Sequence, residues 1–391
     1  MVIKMKIAII IERTDINLGG AERSVNELSG ALVRLGHEVH ILAAKGQSKS
    51  DNIHFLCQDK PGSRVDLHVF GEALKSHLSQ NSYDIVHSVL PFEFADVYQP
   101  RGGTYAESVL RNAASYRNKL IESWKKLTAF TNFRRSTLLQ AERKLCSGSD
   151  GPVIVALSKY VSEQFKRHYN VEQHRIIVIP NGVNTEKQVD EEKALQMRQR
   201  IFNGLGLNEA DRPVLFLFAA TNFRLKGLSC LLEAVKTLTE RIKGFDGYVV
   251  VVGGAEKSQY KRLAEGRAIF PGSVDDIHNI MSIVDVAALP TFYDPASRFI
   301  LEALAAGKPV ITTKFNGATD LFTNNRHGIV INSPENIESL ADAVDYFTNK
   351  DNIRNASQAI IKDNLRATIS IDRVARELTT LYELILQKKG E

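Results

Sequence analysis

The chain has 391 residues, of which 43% are hydrophobic and 24% are charged, and its formal net charge is +5. This length allows two or three domains, and this balance is typical of a globular protein; it excludes a disordered chain, a collagen-like repeat and a coiled-coil rod. No apolar run is long enough for a transmembrane helix, and the N-terminal run is too short for a signal peptide. With three cysteines in no metal-binding pattern, the sequence predicts a cytoplasmic protein with reduced thiols.

The first half of the chain alternates apolar runs with amphipathic stretches, as the strands and helices of a parallel sheet do. Lys6–Ile11 is an almost continuous apolar run, typical of a strand that is buried on both faces. Gly19 and Gly20 then precede a predicted helix over residues 21–35. We predict strands in this half at 6–11, 37–43, 52–57, 84–87, 153–157 and 175–179, with a long helical interruption at 106–147.

The second half repeats the alternation and ends in about forty helical residues. A charged helix at 190–202 indicates a domain boundary, and strands are predicted at 214–219, 247–252, 268–270, 284–289 and 309–312. The predicted fold class is therefore α/β, with two doubly wound Rossmann-like domains that face a central cleft. The predicted domains are 1–190, which carries the insertion 106–147, then 191–370 and a final helix at 371–391. Ligands of such sheets bind beyond the carboxyl ends of the strands.

The insertion accounts for the net positive charge of the chain. Residues 107–145 hold nine Lys or Arg and three Glu, a local charge of +6, which favours an anionic partner. Aromatic residues there suit the boundary between lipid headgroups and acyl chains, so we predict an anionic membrane surface. The alternative is a solvated insertion whose aromatics pack on their own domain. Nucleic acid is disfavoured, because aliphatic residues at helical spacing accompany the aromatics, which are Tyr116, Trp124, Phe130 and Phe133.

Residues 290–309 (PTFYDPASRFILEALAAGKP) predict a short buried helix with one carboxylate. Ser297 is a good N-cap and Gly307 a good helix stop. Between them every side of the helix is apolar except at Glu302, so this carboxylate is predicted to be buried and to need a partner, from the protein or from ligand hydroxyls. The alternative is a short exposed helix with the glutamate facing solvent.

Residues 216–227 (FLFAATNFRLKG) predict a strand that leads into a cationic loop. Arg224 and Lys226 lie just before a predicted helix N-terminus, and two cations at such a position form an electrostatic site for a diphosphate. The alternative is that they are two solvated loop cations. Other motifs are missing from the sequence: no GxGxxG follows a strand, and there is no P-loop, no Asp-x-Asp and no histidine spacing typical of metal ligands.

These motifs together resemble the retaining, two-domain GT-B glycosyltransferases of family 4, in particular the lipopolysaccharide-core glucosyltransferase-like branch. The resemblance covers nearly the whole chain, and its most specific motif is the last one. It rests on GGAERSVNELSGALVRLGHEVHIL near the N-terminus, VIPNGVN at 178–184, NFRLKG at 222–227, VVVGG at 250–254, PGSVDDI at 271–277 and DPASRFILEALAAGKPVITT at 294–313.

The resemblance implies donor-binding roles for residues of the second domain. The family's paired carboxylates fall on Asp294, which would contact the donor sugar, and Glu302, which would bind the ribose hydroxyls. Asp294 is one methylene shorter than the family's glutamate, which leaves the hexose open. Arg224 and Lys226 would neutralise the diphosphate. The remaining donor-binding residues implied are Asn222 in the same loop, Ser297 and Arg298 at the helix start, and Val274, where the backbone reads the base.

The resemblance also implies residues of the first domain. Gly19 and Gly20 match the loop that reaches the donor from the acceptor domain. Where many relatives have a His or Asp near the reacting sugar, this chain has Arg101 or Gly102, so no protein nucleophile is assigned. Arg101 would help to stabilise the leaving group, and the catalytic residues implied are Asp294, Arg224, Lys226 and Arg101.

The function implied is a retaining, metal-independent transfer of a hexose from a nucleotide diphosphate sugar. The donor would be UDP-linked, and the acceptor a saccharide or a lipid-linked saccharide, as in lipopolysaccharide or polysaccharide biosynthesis. No cofactor or metal is expected, the enzyme would be cytoplasmic or peripheral on the membrane, and the final helix is expected to cross back to the first domain. The alternatives are a nucleotide-sugar epimerase of the same fold and a non-catalytic glycan-binding protein.

Overall fold

A computed structural model describes residues 3–15, 19–48, 50–59, 64–148, 150–208, 210–254, 258–274 and 276–390, apart from the side chains of residues 129 and 130. The chain forms two compact units. The first unit comprises Met1–Leu110, Ser123–Asn184 and Ser370–Glu391, and the second comprises Arg111–Glu122 and Thr185–Ile369. In the described part of the chain, no helix is both long and apolar enough to cross a membrane.

The first unit is built on a parallel sheet. Its β1 has the sequence KIAIIIER and pairs with β2 and β4, and the run Ile7–Ile11 is buried because side chains of helices pack with it in one core. Within the described residues the sheet has seven strands in the order β3-β2-β1-β4-β5-β6-β7. The strands are β1 (Lys6–Arg13), β2 (Glu38–Lys45), β3 (Ile53–Phe55), β4 (Ile85–Ser88), β5 (Val97–Tyr98), β6 (Val153–Ala156) and β7 (Ile176–Val178).

Helices connect these strands and begin at residues suited to capping. The carboxylate of Asp66 accepts hydrogen bonds from the backbone N–H groups of the first helical turn that follows, and Ser158 caps a later helix in the same way. The predicted helical interruption is three separate helices, α3 to α5. The helices up to residue 169 are α1 (Gly20–Arg34), α2 (Leu67–Gln80), α3 (Tyr105–Ala114), α4 (Lys119–Leu127), α5 (Phe133–Ser147) and α6 (Lys159–Tyr169).

The second unit contains a second parallel sheet, with six strands in the described residues and the order β10-β9-β8-β11-β12-β13. Its strands are β8 (Val214–Ala219), β9 (Gly247–Val252), β10 (Ala268–Gly272), β11 (Val286–Leu289), β12 (Val310–Thr313) and β13 (Gly328–Ile331). Its helices are α7 (Glu191–Leu205), α8 (Leu228–Arg241), α9 (Ser258–Ala264), α10 (Ile277–Ile283), α11 (Arg298–Ala305), α12 (Ile337–Tyr346), α13 (Lys350–Lys362) and α14 (Leu365–Thr368).

The last helix, α15 (Ile371–Gly390), belongs to the first unit. Its Tyr382 hydroxyl lies 2.6 Å from Nδ1 of His87 on β4, and both residues are fully buried. Burial, followed by the positive charge of Arg101, lowers the pKa of His87 to about 3, so the ring is neutral and Nδ1 can accept a hydrogen bond from the hydroxyl. This hydrogen bond attaches the end of the chain to the centre of the first sheet.

The observed division of the chain differs from the predicted one in two places. The first unit gives way to the second after Asn184, six residues before the predicted boundary at 190. Residues 111–122, predicted to lie wholly within the first domain, group with the second unit because their side chains contact it, as described below. The two parallel-sheet units confirm the predicted α/β class, although β5 and β13 were not predicted.

We expect Tyr382→Phe to lower the free energy of unfolding by about 1–3 kcal/mol, because it leaves a buried ring nitrogen without its hydrogen-bond donor. Urea unfolding followed by circular dichroism would measure the change. Tyr346→Phe is the matched control, because Tyr346 is 47% exposed. Loss of its hydroxyl should change the free energy of unfolding by less than about 0.5 kcal/mol. Equal effects of the two substitutions would show that the hydrogen bond does not stabilise the fold.

Candidate active site

Three loops meet at the carboxyl edge of the second sheet, where parallel sheets bind ligands. They follow the neighbouring strands β8, β11 and β12. The carbonyl of Leu225 accepts hydrogen bonds from the N–H of Phe292 at 2.9 Å and from the hydroxyl of Thr291 at 3.2 Å, which joins the first two loops. Asp294 joins the second loop to the third: its N–H donates to the carbonyl of Phe315, and its own carbonyl accepts from Gly317, both at 2.9 Å.

The first loop approaches the second so closely that only glycine fits at position 227. Gly227 has a φ of +80°, and an added Cβ would lie 2.0 Å from the carbonyl oxygen of Pro290. This contact places the N-terminus of α8, and the cationic loop before it, directly against the loop that carries Asp294. The glycine is therefore required by the packing of the site as well as by the backbone conformation.

Lys226 and Asp294 form an ion pair. The Lys226 ammonium lies 2.7 Å from Oδ2 of Asp294 and donates a second hydrogen bond to the carbonyl of Tyr293 at 2.9 Å. Oδ1 of Asp294 accepts from the N–H of Ala296 at 3.3 Å. Both side chains are mostly buried, so the carboxylate neutralises much of the charge of Lys226.

Arg224 lies in the same loop but contacts uncharged groups. Its guanidinium donates to the carbonyl of Asn112 at 3.0 Å and to the hydroxyl of Ser115, and it lies 3.7 Å from the centre of the Tyr116 ring. Tyr116, which the sequence predicts to face a membrane, is half-buried and packs on this guanidinium. Asn222 shapes the loop, since its side-chain oxygen accepts from the N–H of Leu225 at 3.1 Å.

The short helix α11 is buried as the sequence predicts. Ser297 caps it by accepting a hydrogen bond from the N–H of Ile300, and Glu302 is only 6% exposed. The predicted burial of this carboxylate is confirmed, and its protein partner is Arg298, one helical turn earlier, at 3.2 Å. The pair leaves further lone pairs on Glu302, which can accept hydrogen bonds from a hydroxylated ligand.

Asn316 was missed by the sequence reasoning, although it organises the start of α11. It is fully buried; its side-chain oxygen accepts from the N–H of Ser297 at 3.2 Å, and its amide donates to the Thr312 hydroxyl at 3.0 Å. The available signal was its position, because a polar residue followed by glycine lies in the loop four residues after the end of the predicted strand at 309–312. Asn112 and Ser115 were also missed, since nothing local connects them with residue 224.

Val274 lies in the loop after β10, which is two strands away from β8 in the sheet order. At the usual strand spacing this separation is roughly 10 Å. Val274 lines a cavity of about 340 Å³ together with Ser273 and with Lys193 and Arg200 of α7. A larger cavity of about 660 Å³ lies beside β13, α12 and α13, and no predicted site residue lines it.

Gly19, Gly20 and Arg101 belong to the first unit, whereas the other predicted site residues belong to the second. Gly19 precedes α1 and Gly20 begins it. Arg101 follows β5 and donates to the side-chain oxygen of Asn181 at 3.5 Å. Among the residues that the structure describes, no group of three or more His, Cys, Asp or Glu side chains could hold a metal ion.

The second unit therefore combines a cation held by neutral groups, an ion pair and a buried carboxylate at one edge of its sheet. The cation suits an anion such as a diphosphate, and the carboxylate suits vicinal hydroxyls. The arrangement offers electrostatic stabilisation of a phosphate group and binding of a sugar hydroxyl within one unit.

Comparison with known proteins assigns both halves of the chain. Residues 18–187 match the family described as Glycosyltransferase Family 4, and residues 199–364 match the one described as Glycosyl transferases group 1. The lipopolysaccharide glucosyltransferase WaaG of Escherichia coli strain K12 is 23% identical over 337 residues, which are 83% of this chain and 85% of WaaG.

Solved structures share the fold across nearly the whole chain. Sucrose-phosphate synthase of Thermosynechococcus elongatus matches with a TM-score of 0.72 and 18% identity, covering 98% of this chain and 99% of that one. Anabaena HepE, solved in complex with UDP-glucose, matches with a TM-score of 0.69 and 16% identity, covering 97% and 99%. With a family 4 domain followed by a group 1 domain on two parallel-sheet units, the chain belongs to the glycosyltransferases of the GT-B fold.

Proposed function

We propose that this glycosyltransferase moves a hexose from a UDP-linked sugar to a saccharide or lipid-linked saccharide, with retention of configuration. The observation that carries the proposal is the placement of Arg224, the Lys226–Asp294 pair and buried Glu302 at one edge of the second sheet. HepE, which shares the fold, binds UDP-glucose, and WaaG is a lipopolysaccharide glucosyltransferase, which supports this class of donor and acceptor.

Each group has a distinct role in this proposal. Glu302 accepts hydrogen bonds from the ribose hydroxyls, and the backbone at Val274 contacts the base. Arg224 binds the diphosphate, and Lys226 adds charge there when the ligand competes with Asp294 for its ammonium. Asp294, whose carboxylate already accepts from the ammonium at 2.7 Å, contacts hydroxyls of the sugar.

The chemical step breaks the bond between the anomeric carbon and the phosphate oxygen and forms a bond from that carbon to the acceptor oxygen. The acceptor proton passes to the departing phosphate on the same face of the sugar, so no protein nucleophile is needed. The enzyme contributes positioning and positive charge near the leaving group, from Arg224. Arg224 performs the role that a divalent cation has in metal-dependent enzymes, so we propose that transfer needs no metal.

A transfer assay with a panel of UDP-, ADP- and GDP-sugars and saccharide acceptors tests the function. We expect a UDP-hexose to give a glycosylated product that keeps the anomeric configuration of the donor, as determined by NMR. We also expect EDTA to leave turnover largely unchanged. Isomerised nucleotide sugar as the only product would indicate an epimerase, and no turnover would favour a glycan-binding protein. Activity that EDTA abolishes and Mn²⁺ or Mg²⁺ restores would contradict metal independence.

We expect Glu302→Gln to weaken UDP binding about ten- to a hundredfold, because the amide loses the charge that strengthens hydrogen bonds to the ribose. Calorimetry with UDP measures this, and 2′,3′-dideoxy-UDP should bind the variant and the wild type equally. Glu240→Gln is the matched control, since Glu240 is an exposed residue of α8 and its substitution should leave affinity unchanged. If the variant keeps wild-type affinity for UDP, Glu302 does not bind the ribose.

The proposed acceptor is consistent with a membrane surface, which we place at α4. No residue of this helix is buried, and its large apolar side chains are exposed by 83% at Leu120, 57% at Trp124 and 77% at Leu127. These positions recur at helical spacing and so share one face, beside the three lysines of the same helix. Phe133, at the start of α5, is 76% exposed, whereas the side chain of Phe130 lies outside the described residues.

The charge presented to lipid is smaller than the +6 counted in the sequence. Three cations of residues 107–145 are paired with glutamates outside that range, in the pairs Arg117–Glu233, Arg134–Glu12 and Lys144–Glu93. The membrane proposal therefore depends on the exposed apolar face of α4 with its lysines, rather than on the net charge of the whole insertion.

Co-sedimentation with vesicles tests the membrane proposal. We expect binding to anionic vesicles at low salt, weaker binding at high salt, and little binding to neutral vesicles. Lys125→Glu with Lys126→Glu should reduce binding about tenfold or more, because each basic residue contributes roughly 1 kcal/mol. Lys243→Glu with Lys362→Glu, both exposed, makes the same charge change elsewhere and should have little effect. Equal binding to both lipids, or none to either, would refute the membrane surface.

A further inference from the structure

Residues 111–117, here called the 111–117 segment, comprise the last turn of α3 and part of the loop before α4, and they touch the loops of the candidate site. Asn112, Ser115 and Tyr116 surround the guanidinium of Arg224, as described above. Ser115 is only 3% exposed, and its hydroxyl also donates to the carbonyl of Asn112 at 2.6 Å. The segment is therefore packed around the arginine rather than lying loosely beside it.

Both ends of the segment contact other parts of the second unit. The guanidinium of Arg111 lies 3.8 Å from the ring centre of Phe315, whose carbonyl accepts the N–H of Asp294. Arg117 forms two parallel hydrogen bonds with Glu233 of α8, at 2.5 and 2.8 Å, and this hydrogen bonding raises the pKa of Arg117. The segment thus contacts the loop after β8, the loop after β12 and the helix α8.

The groups around Arg224 are uncharged, and this distinguishes it from Lys226. A carbonyl, a hydroxyl and an aromatic ring orient a guanidinium without cancelling its charge. Lys226, by contrast, is paired with the carboxylate of Asp294 at 2.7 Å. Among the described residues, Arg224 forms no ion pair, so its full charge is available to an anion.

The contacts also fix the orientation of the guanidinium. Nη1 donates to Asn112 and Ser115, Nη2 lies 3.5 Å from the side-chain oxygen of Asn112, and the Tyr116 ring covers one face of the group. Across the described ranges Nε forms no hydrogen bond. The edge formed by Nε and Nη2 is the fork that binds phosphate oxygens in a bidentate manner, and it remains available.

We infer that Asn112, Ser115 and Tyr116 are positioning residues that hold Arg224 ready for the diphosphate of the nucleotide sugar. The inference rests on the proposed function, in which Arg224 binds the diphosphate. It adds that these three residues hold Arg224 in the orientation that binding needs. An unsupported arginine loses side-chain freedom when it binds a ligand, whereas one held in place beforehand does not. The donor site therefore extends to a part of the chain that lies more than a hundred residues before it.

A double-mutant cycle tests the inference by calorimetry with UDP, or with ADP or GDP if the wild type binds one of them more tightly. We expect Tyr116→Leu to weaken binding about three- to tenfold in the wild type and to have no further effect in the Arg224→Ala background. Tyr116→Phe keeps the ring and should keep wild-type affinity. Ser115→Ala removes one hydrogen-bond acceptor of Arg224, and it should weaken binding in the wild-type background but not in the Arg224→Ala background. This variant replaces Tyr116→Leu in the cycle if Tyr116→Leu does not fold. Tyr346→Leu, at an exposed position of α12, is the control and should change nothing.

The outcomes separate this inference from the proposed function. If Arg224→Ala binds the nucleotide as tightly as the wild type, the arginine does not bind the diphosphate and the proposed role fails. If Arg224→Ala weakens binding but Tyr116→Leu and Ser115→Ala do not, only the positioning role fails. Equal losses in both backgrounds would indicate a general structural role, and tighter binding by Tyr116→Leu would mean that the segment sequesters Arg224; either result overturns the inference.

Discussion

Asp294 connects the parts of the candidate site, and the rest of the site depends on its contacts. Its backbone exchanges hydrogen bonds with Phe315 and Gly317, and its carboxylate accepts from Lys226 and from the N–H of Ala296. Asp294 and the Leu225 carbonyl contribute several of the hydrogen bonds that join the loops after β8, β11 and β12. The three strands are neighbours in one sheet and hydrogen bonds link the loops at their carboxyl ends, which suits a site that acts by positioning.

The two cations of the site are held in different ways, and this difference determines what each can do. Lys226 is neutralised by a carboxylate, so a ligand must compete with Asp294 for it, whereas Arg224 is held by neutral groups and keeps its charge. The groups that hold Arg224 come from the insertion between β5 and β6. The same insertion continues into α4, whose apolar side chains are exposed, so one stretch of chain contributes to both the proposed donor site and the proposed membrane surface.

Much of the fold was predictable because its signals are local. Continuous apolar runs predicted β1, β8 and β9, since strands buried on both faces have no polar side to confuse the pattern. The burial of Glu302 was predictable for the same reason, because a helix that is apolar on every other side has no exposed face. The two-residue strand β5 was missed, since so short a strand has no periodicity, and it forms only because β4 and β6 flank it.

The sequence by itself determined most of the strands, the caps, the buried carboxylate and the position of two cations before a helix. Each of these features depends on residues that are close together in the sequence. Only the tertiary structure decided the partners. Lys226 meets a carboxylate 68 residues away, and Arg224 meets an asparagine 112 residues away. These pairings follow from the order of the strands and from the path of the 111–117 segment across the second unit. Neither is encoded in any local pattern, because contacts between distant residues arise only when the whole unit has packed.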